Sequence, residues 1–303
     1  MESILIISPS GTINPDYIEG AAKRLRSWGY KVNVSPHALG EYGRFSGTDE
    51  ERLADLQMAL QDPSVDAIIC ARGGYGLQRI LDKINLSTFD YPPTLIGFSD
   101  ITALHQLYAL HGTPYTVHHT PSLHGLMCKH IATLPEDSRA LQVFRRALAG
   151  EPITYKLPAH PLNRCGEAQG TLVGGNLSVL YGLQGTPYDL NHVIDVHPEG
   201  VILFIEDIGE RHYHIDRMLN NLRMSGVLAR IKGLVVGQFS DCEDDPLMGC
   251  TISQTIAQAV ESYAFPVLFD FPAGHVEDNC PLWFNTTHQM SITEKFSTLI
   301  SNE

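Results

Sequence analysis

Thr94-Leu95-Ile96-Gly97-Phe98-Ser99-Asp100 joins a short apolar run to a helical pattern that opens with Ile101, Leu104 and Tyr108. Read as a strand ending at Gly97 and a helix beginning at about Asp100, the segment leaves Ser99 on the tight turn between them. In an open α/β sheet, ligands bind beyond the carboxyl ends of strands. A serine on such a turn has an exposed hydroxyl, with neighbouring backbone N–H groups and the positive end of a helix beside it. The placement follows the logic of a nucleophile elbow without its G-x-S-x-G pattern. Serine is also a favoured helix cap, and a plain cap satisfies the same segment.

The pattern repeats on either side. Ile4–Ile7, Val32–Val34 and Val65–Cys70 read as strands. Ile18, Ala22 and Leu25 share one helix face, and Thr48-x-x-Glu51 is a capping box ahead of Leu53, Leu56 and Leu60. Leu77, Ile80, Leu81 and Ile84 follow helical spacing. Short apolar strands alternating with amphipathic helices imply a mostly parallel sheet covered on both faces. Between about Ala147 and Gly170, Gly150, Pro152, Pro158, Pro161 and Gly166 break the pattern and read as a linker. Strand patterns resume at Thr171–Val173, Val201–Ile205, Gly233–Gln238 and Val267–Phe271, with a helix carrying Ile215, Met218, Leu219 and Leu222. Leu282–Phe284 and Gln289–Ile292 read as a late hairpin. The expected division is an N-terminal domain over 1–146, a linker over 147–170 and a C-terminal domain over 171–303.

At 303 residues, two domains are the prior. The 21 Lys and Arg against 34 Asp and Glu give a net charge of −13, which argues against nucleic acid and anionic membranes as partners. No apolar stretch approaches the ~18 residues of a membrane span. The six cysteines are scattered without a C-x-x-C pair, so reduced thiols in a cytoplasm are expected.

Two further strand ends carry reactive groups. Arg72-Gly73-Gly74-Tyr75-Gly76 follows a strand. Its backbone N–H groups suit an oxyanion hole or a phosphate cradle, and its glycines equally suit a plain turn. Glu206-Asp207 and Gly274-His275 follow the later strands. A serine needs a base, and a histidine base needs an acceptor on its other ring nitrogen. Ser99, His275 and Glu206 would fill those roles. A solvated carboxylate and a loop histidine are the alternatives. Among the 14 histidines, His118-His119 and His212-x-His214 are the metal-ligand candidates, without an H-E-x-x-H or a third ligand at short spacing.

In joint order and spacing these motifs resemble the LD-carboxypeptidase family of serine peptidases, which includes the microcin C immunity peptidases. Ser8–Gly11, Phe45–Asp49 with Arg52-Leu53, Arg72–Gly76, Gly97–Asp100, Gly174–Leu177, Glu206-Asp207 and Gly274-His275 carry the likeness over nearly the whole chain. The resemblance implies an N-terminal parallel-sheet α/β sandwich followed by a C-terminal β-rich, barrel-like α/β domain, usually as a homodimer. It implies Ser99 as nucleophile, Glu206 and His275 as its partners, and the Gly74 and Asp100 N–H groups as oxyanion hole, without metal or other cofactor. The implied substrate is a cytoplasmic murein tetrapeptide, cut before its terminal D-alanine. Arg72, Gly73, Tyr75 and Asn176 are the expected substrate-binding residues. For Arg72, a salt bridge between domains is the other reading. The sequence departs from the family pattern at His119-Thr120-Pro121 and Pro281–Phe284. Competing readings are a microcin-type peptidase acting on a peptidyl-nucleotide, a nucleotide- or sugar-phosphate-binding protein using Gly73–Gly76, and a metallohydrolase built on the histidines.

Overall fold

The computed structural model describes residues 1–84, 86, 92–111 and 121–301. Five parallel strands, β1 (Ser3–Ile7), β2 (Lys31–Val34), β3 (Ala67–Cys70), β4 (Thr94–Gly97) and β5 (Ser122–His124), lie in the order β5-β4-β3-β1-β2. Both faces of β1, β3 and β4 are buried, which is why these strands run almost continuously apolar, whereas the edge strand β2 leaves Lys31 and Asn33 exposed. Along β1, Ile4 and Ile6 pack with Leu25 of α1 (Pro15–Ser27), Ile131 of α4 (Cys128–Thr133) and Phe144 of α5 (Arg139–Leu148). Leu5 and Ile7 point the other way, to Leu56 of α2 (Asp49–Gln61) and Leu104 of α3 (Thr102–His111). The Thr48–Glu51 capping box at the start of α2 is formed in both directions.

The second half contains α6 (Leu177–Gly182), α7 (Leu190–Val196), α8 (His212–Met224), α9 (Val227–Arg230) and α10 (Ile252–Ala259). Its strands are β6 (Thr154–Pro158), β7 (Gly166–Asn176), β8 (Val201–Ile208), β9 (Gly233–Ser240), β10 (Val267–Leu268), β12 (Thr287–Ile292) and β13 (Phe296–Ser301), in the order β10-β9-β8-β7-β12-β13-β6. This sheet has two free ends and is not a closed barrel. An isolated bridge between Arg164 and Val267 lays the β6–β7 connection against the β10 end.

Four sequence expectations need correction. Residues 147–170, where the strand and helix pattern reads as stopping, hold β6 and the first part of β7. In β6, buried Tyr155 and Leu157 alternate with exposed residues, a one-faced pattern that the flanking prolines obscure. Pro158 is tolerated because β6 is an edge strand. Leu282–Phe284 is not half of a late hairpin but forms β11, antiparallel to β5 in the first sheet. The hairpin is β12–β13, and Asn285, at φ 61°, turns the chain from one sheet to the other. Leu77–Ile84 forms two 3-10 turns, Leu77–Arg79 and Leu81–Lys83, rather than one helix, since apolar i, i+3 spacing also suits a three-residue period. The strand read as Val267–Phe271 stops at Leu268, close to Asp270 in the left-handed region.

Arg52 ties the first sheet to the loop after β3. Its side chain is fully buried and its Nη1 donates to the Pro9 carbonyl at 2.5 Å and to the Gly76 carbonyl at 3.1 Å. Its Nη2 donates to Asp49 at 2.5 Å. Arg52→Ala strands two buried carbonyls and should cost about 3 kcal/mol. A thermal unfolding midpoint equal to that of the natural chain would contradict this.

Candidate active site

Beyond β4, Phe98 remains extended and Ser99 begins a single 3-10 turn, Ser99–Ile101, that runs into α3. Ser99 has φ 67°, a conformation costing about 1–3 kcal/mol for a residue with a Cβ. The cap position of this turn is held by Phe98 and not by Ser99, so the plain-cap reading does not describe it. Its Oγ lies 2.9 Å from His275 Nε2. The loop after β3 presses against it from the side. A Cβ on Gly73 would stand 2.7 Å from Ser99 Cβ, so only glycine permits this approach. The Gly11 N–H holds the loop by donating to the Gly73 carbonyl at 3.0 Å. The Asp100 carboxylate points away into the interior. It accepts from Ser10 Oγ at 2.7 Å and the Leu77 N–H at 3.0 Å. Burial raises its pKa, and these two hydrogen bonds and Arg52 oppose the rise.

The second sheet delivers the other groups. The register of β8 against β9 slips between Ile205 and Asp207, a local irregularity of the kind that re-aims side chains near functional sites. Glu206 is fully buried, and its Oε2 accepts from His275 Nδ1 at 2.7 Å. Asp207 is turned to the opposite side. Its carboxylate accepts from Asn176 Nδ2 and the Ser178 N–H, both at 2.9 Å, and its pKa is pushed up to about 7 by burial and then by the Glu206 charge. The His275 ring stands edge-on to Phe98, centroids 5.0 Å apart. Burial works against its charged form, but the hydrogen bond and charge of Glu206, with Asp207 and Asp241, outweigh that and leave its pKa raised.

Two clefts meet at Ser99. The larger, about 490 Å³, is lined by Tyr17, Arg72, Gly73, Lys129, His130 and His275, among others. The smaller, about 310 Å³, is lined by Tyr75, Gln78, Asn176, Ser178 and Asp207. Gly74, Ser99 and Ile208 border both. A cavity of about 640 Å³ lies elsewhere, between His160, Gln238, Cys242 and Asp270, and does not reach Ser99.

The structure therefore brings Ser99, Glu206 and His275 together and sets Gly74 and Asp100 at the serine. It distributes Arg72 and Gly73 to one cleft, and Tyr75 and Asn176 to the other. Arg72 makes no ion pair among the described residues, contrary to the interdomain salt-bridge reading. Its Nη1 donates to the Thr12 carbonyl at 2.6 Å. The H-x-H pair sits in the first turn of α8. There His212 Nε2 meets Thr255 Oγ1 at 2.7 Å, and His214 Nδ1 meets Glu210 at 2.9 Å. His118, His119 and Thr120 lie outside the described residues. Among the described residues no group of three His, Cys, Asp or Glu is placed to hold a metal ion. Sequence reasoning passed over Lys129 and His130, which belong to no motif. Burial pushes the His130 pKa down to about 4, and its ring stands edge-on to Phe98.

The chain matches the LD-carboxypeptidase N-terminal domain over residues 4–119 and the LD-carboxypeptidase C-terminal domain over residues 169–290. It belongs to the LD-carboxypeptidase family. The probable murein peptide carboxypeptidase of Bacillus subtilis is 33% identical over 97% of this chain and 90% of its own. The murein tetrapeptide carboxypeptidase of Pseudomonas aeruginosa is 30% identical over 91% of this chain and 89% of its own. A crystal structure of the muramoyltetrapeptide carboxypeptidase from Oxalobacter formigenes superposes with a TM-score of 0.84 at 28% identity, covering 99% of both chains. The mixed α/β architecture with two sheets is thus that of an LD-carboxypeptidase.

The raised His275 pKa has a sign that can be measured. The charged imidazole gains its partner only in the folded chain. Its contribution to stability is fully present below the unfolded value of ~6.5 and is lost as pH rises through the higher folded value. Titration of the His275 ring by NMR should give a pKa above ~6.5, and Glu206→Gln should lower it. An unchanged value in Glu206→Gln would show that Glu206 does not set it.

Proposed function

We propose that this LD-carboxypeptidase is a serine enzyme that removes the terminal D-alanine from murein tetrapeptides by acyl transfer. The observation that carries the reading is the continuous relay Ser99 Oγ, His275 Nε2, His275 Nδ1, Glu206 Oε2, with contacts of 2.9 and 2.7 Å. His275 takes the proton of Ser99 as Oγ attacks the amide carbonyl between the L-centre of the diamino acid and D-alanine. The Gly74 and Asp100 N–H groups hold the resulting oxyanion. His275 then gives its proton to the leaving amine, and the acyl group stays on Ser99 until water attacks it with His275 again as base. Glu206 fixes the tautomer, orients the ring and stabilises its charged form. Being fully buried, it does so without competition from solvent.

Murein tetrapeptide as the substrate rests on the names of the relatives together with two clefts that extend the site on both sides of Ser99. A cytoplasmic location fits the six cysteines, all unpaired. Cell-wall recycling is the process such a reaction serves, and a homodimer is the expected assembly.

The test is release of D-alanine from L-Ala-γ-D-Glu-diaminopimelate-D-Ala. The natural chain should release it, and Ser99→Ala should lose about four to six orders of magnitude in kcat, because relay members act as a unit. Turnover of a well-folded Ser99→Ala within tenfold of normal would reject the mechanism. Acylation needs neutral His275, so kcat/KM should climb with pH through an apparent pKa above ~6.5. Glu206→Gln should move that limb to lower pH and reduce the plateau. A flat profile from pH 5 to 8 would contradict the assignment of His275 as base.

A further inference from the structure

The two clefts at Ser99 differ in charge. The smaller one has no Lys, Arg or His among its described lining residues, and its two acids, Asp100 and Asp207, are buried and hydrogen-bonded into the fold. The larger one has Arg72 and Lys129 and no carboxylate among its described lining residues. Its neighbour His130 is held neutral by burial and does not add to that charge. In a chain with 34 acidic and 21 basic residues, two cations facing an acid-free cleft run against the overall balance. Neither has an ion-pair partner among the described residues. One nitrogen of the Arg72 fork is fixed on Thr12, and the fork carries further donors for an anion. Lys129 is exposed at the end of the cleft nearest α4.

The reaction decides which end of the substrate enters this cleft. His275 must come within hydrogen-bond reach of the leaving nitrogen to protonate it. His275 lines the larger cleft and not the smaller. The leaving amino acid therefore occupies the larger cleft, and its free carboxylate is the anion nearest the two cations. On the acyl-transfer reading given above, we propose that Lys129, acting with Arg72, binds the terminal carboxylate of the leaving D-amino acid and so restricts the enzyme to the free end of its peptide. Asn176 does not share this task. Its amide is committed to Asp207, in the cleft that offers a carboxylate no cation among its described lining residues. Lys129 is thus a specificity residue that no sequence motif marks.

The experiment compares a murein tetrapeptide ending in D-alanine with the same peptide ending in D-alaninamide. It uses the natural chain, Lys129→Met and Lys129→Arg. The natural chain should strongly prefer the free acid. Lys129→Met should lose about tenfold in kcat/KM on the acid, chiefly through KM, and little on the amide, so the preference narrows. Lys129→Arg should restore most of the preference. An equal loss on both peptides, or an unchanged preference, would overturn the assignment while leaving the serine mechanism standing. If the natural chain releases neither D-alanine from the acid nor D-alaninamide from the amide, the proposed function and this inference fall together.

Discussion

The contact between Ser99 and His275 joins residues 176 positions apart, one at the end of a first-sheet strand and the other in a second-sheet loop. A hydrogen bond of 2.9 Å across that separation holds only if the two sheets are fixed to each other. Several features do this. The Asn176 N–H donates to Thr102 Oγ1 at 2.9 Å, linking the end of β7 to the start of α3 just after the serine turn. Strand β11 leaves the second half to complete the first sheet beside β5, and Phe284 at its end is fully buried. Phe98, next to the serine, packs on the His275 ring itself. The site is therefore a property of the joint between the halves, and neither sheet contains it alone.

Strain and burial are concentrated at that joint. Ser99 sits in a left-handed conformation that a serine does not choose, and the Gly73 backbone, Asp100 and α3 hold it there. Glu206 has no exposed surface and shares its sequence neighbourhood with a second carboxylate, Asp207. Two adjacent buried acids would be unfavourable side by side, and the strand alternation with its register slip sends them to opposite sides. One then orients His275, and the other braces the start of α6 through Ser178. The raised pKa of His275 follows from this arrangement.

Much of this was legible in the sequence because the reactive groups sit at strand ends, where short apolar runs announce themselves. Thr94–Asp100 shows its turn, and the three members of the relay come from three such ends. What was not legible has physical reasons. The strand β6 and the first part of β7 hide between prolines and glycines, because a stretch with one wet face alternates instead of running apolar. The destination of Leu282–Phe284 depends on a partner, β5, some 160 residues earlier, and nothing local records that pairing. The Leu77–Ile84 spacing fits two helical periods at once. Lys129 and His130 carry no motif because their relevance comes only from the cleft that the fold builds around them.

The most direct test of the account is to react the chain with a fluorophosphonate and map the adduct by mass spectrometry. The account predicts a single adduct on Ser99, formed far more slowly in Glu206→Gln and His275→Ala at equal folding. Release of D-alanine by a chain that gives no adduct, or an adduct on any other residue, would contradict it.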